Sequence, residues 1–499
     1  MRAPEFLLAA GLPLVLAACA TSSIEMAPER PDRPWNPAVT SSGEIVAGSR
    51  GGGTVSAGYV LPANPALGVL PPAPALDSDK AYSLAELVDI AESANPKTRI
   101  AWDEARRAAL AAGIAESTYL PKITVTAVGG YQTSNDESAS GGVAAASLLW
   151  LLFDFGERQA VVEGAKQTSV ISNIAFTASH QELIHEVSLA FYAHAAAKAH
   201  RATAAGSLAN ARSVQAAAED RYAHGVGTLI EVAQARQATA QANLASVQAT
   251  GEVQDNYIAL ITAMGISPLT KIRIADVSDR KLSPSMVAPV ETIVSAALAR
   301  RPDMLSAYAA HKASLANVRA AKAEFMPKVF VSATGSHNSG RLRITSLPGL
   351  GDQSPTVNLD TNRTGGVILA GVTVPLFDGG RRAAQLAQAR AAADGAKARL
   401  AQVQDDAVKQ IAVADNALRT SLESVSAADA LVAAAQTTFD AALGAYRSGV
   451  GSITDVTIAE TQLLQARNAA TDAYSTALSA AATLALATGT LGSAPEFGR

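Results

Sequence analysis

One cysteine in 499 residues, Cys19, leaves no partner for an intrachain disulfide, so packing alone must hold the fold. Charged residues make up 17% of the chain, below the roughly 25% usual in soluble domains. The net charge is −4 with Lys and Arg scattered, so no basic stripe offers nucleic acid a footprint. Aromatics are 5%, and the 48% hydrophobic content is largely alanine, which favours helix and close helix packing over a bulky core. Neither the N-terminal apolar run nor any strand-like stretch reaches the 18 or so apolar residues of a spanning helix. The sequence has no Gly-rich phosphate loop, nucleophile elbow or acid pair in a plausible cleft, so neither catalysis nor a cofactor is expected.

What is present begins with Met1-Arg2 and an apolar run ending Leu16-Ala17-Ala18-Cys19. A positive start, short apolar core and small-residue cleavage site read as a secretory signal over 1–18. The ending resembles the lipobox of bacterial lipoproteins, which assigns Cys19 as the lipid-bearing first residue of the mature chain and leaves no free thiol. No aspartate follows it, so the outer membrane, with the anchor on its periplasmic face, is the expected destination. Eleven of the 22 prolines precede residue 80, together with Gly51-Gly52-Gly53, so 19–80 is read as an extended tether rather than a packed domain.

After that, proline vanishes for long distances: none lies between Glu157 and Ile266 or between Arg381 and Ala494. Both stretches carry Ala, Leu, Val, Gln and Arg at helical spacing, broken only at Gly225 and Gly227 or at Gly449 and Gly451. Each predicts a long helical hairpin. A helix from Glu157 to Tyr222 would be roughly 100 Å long at 1.5 Å per residue. A shorter returning arm runs from Leu229 to Met264, and another helix from about Lys97 to Thr118 is expected to stack end to end with it. Their seam is where residues 268–300 should lie, as a belt around the rods.

Between short helix and long helix the period changes. Lys122–Tyr131 and Val143–Phe153 read as strands around a polar loop 132–142, and Lys328–His337 and Gly365–Phe377 as strands around a longer loop 338–364. Lengths of about 9 to 11 residues suit a membrane β-barrel. Four strands leave two open edges that lipid cannot satisfy, so other copies of the chain must close the barrel. Three copies give twelve strands and room for a lumen.

The chain also contains itself twice. Tyr119-Leu120-Pro121-Lys122 returns as Phe325-Met326-Pro327-Lys328, offset by 206. Phe153-Asp154-Phe155-Gly156 returns as Phe377-Asp378-Gly379-Gly380, and the Tyr222 to Gly227 turn returns as Tyr446 to Gly451, both offset by 224. One 18-residue insertion separates the copies, and a pseudo-symmetric architecture follows. The halves span 81–267 and 291–492, joined by an equatorial segment 268–290 and followed by a tail 493–499.

With these motifs in order, twice, over residues 82–492, the chain resembles the TolC-like outer-membrane efflux proteins, in their lipoprotein branch. The resemblance implies an α+β membrane protein: long antiparallel helical hairpins forming a trimeric α-barrel, with four strands per chain contributing to a 12-stranded transmembrane β-barrel. It implies a homotrimer set in outer-membrane lipid that meets an inner-membrane transporter through a periplasmic adaptor. Drugs, toxic compounds or metal ions are the implied cargo. A protein-secretion duct is the alternative, and a structural coiled-coil lipoprotein, which should show sustained Leu and Ile heptads, is the alternative of another class.

The resemblance also places site residues. The turns at 223–228 and 447–452 become the periplasmic mouth, and Val226, Gly227, Thr228, Leu229, Val450, Gly451, Ser452 and Ile453 become the adaptor-docking tips, beside the plainer reading of helix termination. Asp455 matches a selectivity-ring aspartate of the family's prototype, although a charge near a helix start also suits the helix dipole. Ile458 stands where the prototype has a second acidic ring. Tyr446 and Glu231 match a pair that helps hold the prototype's mouth closed, and Gly451 replaces the arginine of that lock. Closure is therefore expected to rely less on ion pairing. His180, Glu182, His185 and Glu186 are ligand types, but the two histidines sit five apart, off the spacing that shares a face. They are read as solvated helix surface, with no metal.

Overall fold

The structure is a computed structural model that describes residues 27–28, 31–32, 35, 37–50, 60–69, 74–134, 137–277, 290–340, 346–347, 356–357 and 364–492. Cys19, the 1–18 signal, the 493–499 tail and most of the loop 338–364 lie outside the described residues. The chain divides into two compact units, Met1–Ala75 and Leu76–Arg499.

The first unit differs from the expected featureless tether. β1 (Pro37–Val39) pairs antiparallel with β2 (Ile45–Arg50), around a turn closed by Gly43, whose φ is +87°. A 3-10 turn at Pro65–Gly68 is capped by the Asn64 side chain. Proline blocks long ladders but not a three-residue strand or the first position of a turn.

The second unit starts with β3 (Ala81–Tyr82) and α1 (Leu84–Ala94), a helix the sequence reading missed. Ser83 and Glu86 form a reciprocal capping box at its start, and Asn95 before Pro96 ends it. The remaining elements of the first half are α2 (Pro96–Ser117), β4 (Lys122–Ser134), β5 (Glu137–Phe153), α3 (Glu157–Ala223), α4 (Leu229–Ala263) and β6 (Arg273–Ile274). The second half holds α5 (Val290–Leu298), α6 (Pro302–Ala323), β7 (Lys328–Gly340), the short pair β8 (Ser346–Leu347) and β9 (Thr356–Val357), β10 (Thr364–Thr373), α7 (Arg381–Arg447) and α8 (Ile453–Ala487).

The two 67-residue helices, α3 and α7, are the rods, and the short helices line up along them. At the first seam Asn95 Nδ2 donates to the Ala263 carbonyl at 3.0 Å, which joins the start of α2 to the end of α4. A side chain on Gly265, whose φ is +76°, would stand 2.6 Å from Asn95, so the abutment needs glycine there. The second half repeats the device: Arg301 Nη1 donates to the Ala487 carbonyl at 2.5 Å, with Gly489 at φ +67° against Arg300 and Arg301. Around the first seam lies the largest core cluster, which includes Leu87, Leu183, Val187, Leu260, Ile261, Met264 and Leu478. The parallel pair Ala81↔Arg273 and Tyr82↔Ile274 closes over it, while 278–289 of the expected belt lie outside the described residues.

Away from that cluster the rods pack on alanine at seven-residue intervals. Ala197, Ala204, Ala211 and Ala218 are buried on α3, facing Ala235, Ala242 and Ala249 on α4, which show the same step. A seven-residue repeat keeps one seam toward the neighbouring helix, and alanine lets the backbones approach closely.

The four main strands form one antiparallel sheet in the order β10-β7-β5-β4, so the duplicated hairpins join through β5 and β7 and leave β4 and β10 as edges. The strands run beyond the expected limits. β4 and β5 stay paired from Lys122↔Leu149 to Ser134↔Glu137, so the proposed polar loop 132–142 is mostly strand. Gly129 opposite Gly142 and Gly130 opposite Gly141 continue the ladder where apolar alternation has ended. β10 stops at Thr373, four residues before the expected end, because Pro375 cannot donate to a ladder. β5, with Leu151 at the matching place, continues to Phe153 through an irregularity between Leu151 and Phe153. Ile123, Val125, Ile368 and Val372 are exposed on the edge strands, a burden for water but not for lipid. No described helix is long and apolar enough to cross a membrane.

Candidate functional site

The far ends of the two hairpins are near copies. The Arg221 carbonyl accepts from the N–H groups of Val226 and Gly227, both at 3.0 Å, and the Ala445 carbonyl accepts from Val450 at 3.0 Å and Gly451 at 3.1 Å. Gly225 (φ +77°) and Gly449 (φ +82°) take the left-handed position that makes this reversal possible. Thr228 Oγ1 then caps α4 by accepting from the Glu231 N–H at 3.2 Å, and Ser452 Oγ caps α8 by accepting from Asp455 at 3.2 Å. Thr228 and Ser452 are thus N-caps, whatever else they meet.

Their apolar neighbours part ways. Val226, Leu229 and Ile230 are exposed at the first tip and Val450 at the second, whereas Ile453 is buried in the core with Val214, Val232, Phe439 and Val456. The expectation that Ile453 is a surface docking residue is corrected by that burial: it sits one position after its cap, facing the other hairpin. Gly227 and Gly451 are half-buried against the backbones of Arg221–Tyr222 and Ala445–Tyr446.

Tyr446 is fully buried, at 1% exposure, while its repeat-mate Tyr222 is half exposed. The Tyr446 hydroxyl donates to Glu231 Oε2 at 3.2 Å, so the two residues picked from sequence do meet. Burial first, and this carboxylate second, push the phenol upward from its ordinary pKa. What sequence reasoning missed is Arg221. Its guanidinium lies over the Tyr446 ring, donates through Nη1 to the Tyr446 carbonyl and through Nη2 to the Val226 carbonyl, and approaches Glu231 to 4.0 Å. A charged side chain thus stands beside Tyr446 and Glu231, supplied from within the first hairpin. The sequence signal was asymmetry: Ala445 occupies the position equivalent to Arg221 in the second half.

Asp455 is exposed, and its Oδ2 accepts from Ser452 Oγ at 2.7 Å and Ser452 N at 3.3 Å, completing a capping box. Ile458 is exposed one turn further on.

In the His180 group Glu182 and Glu186 are exposed, as expected, whereas His180 and His185 are half-buried. His180 faces Glu92 of α1 at 3.2 Å, Glu186 accepts from Lys97 of α2 at 2.6 Å, and His185 contacts Thr483 of α8 at 3.1 Å. These side chains fasten α3 to three different helices. Among the described residues no group of three His, Cys, Asp or Glu could hold a metal ion.

The sequence pattern of the outer membrane efflux protein family matches residues 87–266 and 293–490, one match in each half of the duplication. The chain belongs to the outer membrane efflux protein family. It is similar to protein CyaE of Bordetella pertussis, 27% identical over 417 residues that cover 80% of this chain and 81% of CyaE. It is also similar to the pyoverdine export outer membrane protein OpmQ of Pseudomonas aeruginosa, 25% identical over 378 residues, 72% of this chain and 74% of OpmQ. Its fold matches the outer membrane protein VceC of Vibrio cholerae with a TM-score of 0.69 at 22% identity, covering 81% of this chain and 96% of VceC. This TolC-like family is one of efflux channels rather than enzymes, and its members sit in the outer membrane and extend into the periplasm. The open-edged sheet is accordingly the membrane part, and the hairpin tips are its far periplasmic ends.

Proposed function

We propose that three copies of this chain form the passive exit duct of a tripartite system that expels small molecules. The observation that carries the reading is the pair of unpaired sheet edges, β4 and β10, on a sheet with exposed aliphatic side chains. Lipid offers no hydrogen bonds to an edge, so closure requires strands from further copies, and three copies make twelve strands. The rods from three chains then ring a tunnel continuous with the barrel.

A duct has no energy source of its own, so an inner-membrane transporter acts through a periplasmic adaptor. The adaptor meets the tips at Val226, Gly227, Thr228, Leu229, Val450, Gly451 and Ser452, with Ile453 supporting them from the core. Tyr446, Glu231 and Arg221 hold the mouth closed, and Asp455 from three chains forms a ring of carboxylates that favours cations. Cys19 carries the lipid that fixes the N-terminus to the outer membrane. The likeness to a pyoverdine export protein supports a small-molecule cargo.

The experiment is the mass and single-channel conductance of the detergent-purified protein, before and after Asp455→Asn. The expected result is a trimer of low, cation-selective conductance whose selectivity falls in the variant. A monomer or dimer inert in bilayers would overturn the duct.

A further inference from the structure

Phe155, between β5 and α3, has a φ of +53° and is the one residue other than glycine in the left-handed region among the described residues. Its counterpart in the second repeat is Gly379, at φ +67°. The corner can thus be made with glycine, and a phenyl ring there carries backbone strain that glycine avoids. Burial does not offset that strain, since Phe155 is half exposed. Strain held at an exposed residue points to a contact that the chain alone does not contain.

Strand register places the ring. Phe153 pairs with Val329 and Val329 with Val372, on the sheet face that also carries Ile123, Leu148 and Ile368. The opposite face carries Thr124, Ser147 and Thr334, so the first is the lipid face. The Phe155 ring meets Phe153 edge-on, with centroids 4.7 Å apart, and so extends the lipid face below the sheet. Beside it lies a groove of about 630 Å³ between the start of α3 and the end of α6, bordered by Phe155, Met326, Arg319, Lys322 and one carboxylate, Glu163. Arg319 and Lys322 are three apart on α6 and share a face. Both are exposed and neither has a hydrogen-bond or ion-pair partner among the described residues, while Glu163 accepts from Gln167. Because β5 and β7 are the inner pair of the sheet, the groove stands below its middle, away from the β4 and β10 edges where another copy would cover it. The other repeat lacks every part of this device. At the offsets of 206 and 224 that relate the halves, Gly113 stands in place of Arg319, Glu116 in place of Lys322 and Gly379 in place of Phe155. The corner as a scaffold therefore needs neither the ring nor the cations.

We propose that this groove seats the headgroup of an anionic phospholipid from the periplasmic leaflet of the outer membrane. Phe155 and Met326 meet the glycerol and the upper acyl chain, and Arg319 and Lys322 donate to the phosphate oxygens. Lys322 and Arg319 start roughly 6 and 10 Å below Met326 at 1.5 Å per residue. The polar layer beside the hydrocarbon is about 5–7 Å deep, and long cationic side chains reach up into it. Two cations against one carboxylate give the groove the charge that complements an anionic headgroup. Its apolar wall is continuous with the lipid face through Phe153, so a lipid already lying on the sheet reaches the cations without leaving the membrane.

The test is native mass spectrometry of the detergent-purified full chain titrated with dioleoylphosphatidylglycerol and with dioleoylglycerol, which has the same chains and no phosphate. Saturable retention of one phosphatidylglycerol per chain is expected, with dioleoylglycerol at least about tenfold weaker. Arg319→Gln with Lys322→Gln, both at exposed positions, should weaken phosphatidylglycerol about tenfold. Lys397→Gln with Arg399→Gln, which removes two exposed cations from α7 farther along the rod, should leave it unchanged. Phe155→Gly copies the second repeat, so it should keep the thermal midpoint in detergent while weakening the lipid several-fold. Equal retention of the two lipids, equal losses in the two double variants, or an unchanged affinity in Phe155→Gly would each overturn the assignment.

Discussion

The guanidinium of Arg221, at the end of α3, lies 5.0 Å from the centre of the Tyr446 ring and donates to the Tyr446 carbonyl at 3.2 Å. One side chain therefore ties the end of the first rod to the end of the second, and its reach to Val226 and Glu231 draws in the turn and the start of α4. Under the gate assignment, Arg221→Ala should loosen the tip more than Tyr446→Phe, which removes a single hydrogen bond to Glu231. A stacked, partly desolvated guanidinium is worth about 1–2 kcal/mol, and 1.4 kcal/mol is a factor of about 10 in an opening equilibrium. Single-channel recordings should show a raised open probability in Arg221→Ala. An unchanged record would remove closure from this contact.

The corner between sheet and rod is built twice from the same parts. Asp154 accepts from the Arg158 N–H at 3.0 Å and from Arg158 Nε at 2.7 Å, and Asp378 repeats this with Arg382 at 3.1 and 2.8 Å. Each arginine reaches back to the chain leaving the sheet, Arg158 to the Leu151 carbonyl and Arg382 to that of Pro375. Burial would raise both carboxyls, but the hydrogen bonds and charge of their arginines outweigh it and hold them below the ordinary range. A lowered folded pKa means stability that is full at neutral pH and lost as pH falls through the folded value, below about 4. Thermal unfolding of the detergent-purified protein from pH 7 to pH 3 should show that loss, and Asp154→Ala, Asp378→Ala should flatten it. Removing the carboxylate leaves the Arg158 N–H and guanidinium without their acceptor, which costs about 1–3 kcal/mol, so Asp154→Ala should already lower the midpoint at pH 7. A variant as stable as the parent would refute the corner's role.

Much of this was legible because the chain repeats its punctuation. The motifs at Pro121 and Pro327, at Asp154 and Asp378, and at Gly225 and Gly449 mark the passage from helix to strand, from strand to rod and from rod to returning arm, in order, since proline, glycine and aspartate act locally. Hydrophobic pattern was a poorer guide where pairing continues without it. Gly141 and Gly142 look like loop but lie in a strand paired with Gly130 and Gly129, because the partner strand supplies their hydrogen bonds. α1 was missed because only Asn95, in extended conformation, separates it from α2, so an 11-residue helix looked like the approach to the longer one. The alanine seam on α3 was hidden for a different reason: a search for Leu and Ile heptads overlooks a repeat written in alanine. At the tip, Tyr446 and Glu231 were readable by analogy, but Arg221 was not, since its partners are far away in sequence and nothing local announces them.

Glu460 of α8 is turned toward α3, where Ser207 Oγ donates to it. Burial raises its pKa and the serine lowers it, with burial the larger effect. The sign is opposite to that at the corners: the ionised form is penalised in the folded chain, so the penalty is present above the folded pKa and is relieved as pH falls through it. Glu460→Gln should therefore raise the thermal midpoint at pH 8 and change little at pH 4. A variant that is less stable at pH 8 would show that the ionised carboxylate is a net stabiliser.

Gly225 and Gly449 share a positive φ but not a neighbourhood. Nothing lies within 4 Å of where a side chain on Gly225 would begin, whereas one on Gly449 would stand 3.3 Å from Arg221 Nη1. Alanine at either position pays the left-handed penalty of about 1 kcal/mol. Only Gly449→Ala also presses on the guanidinium that joins the two rods. The two variants should thus lose similar stability, measured by thermal unfolding of the purified trimer, while only Gly449→Ala raises the open probability. If both open the channel equally, turn strain alone governs the mouth, and the Arg221 contact is a consequence of closure instead of its cause.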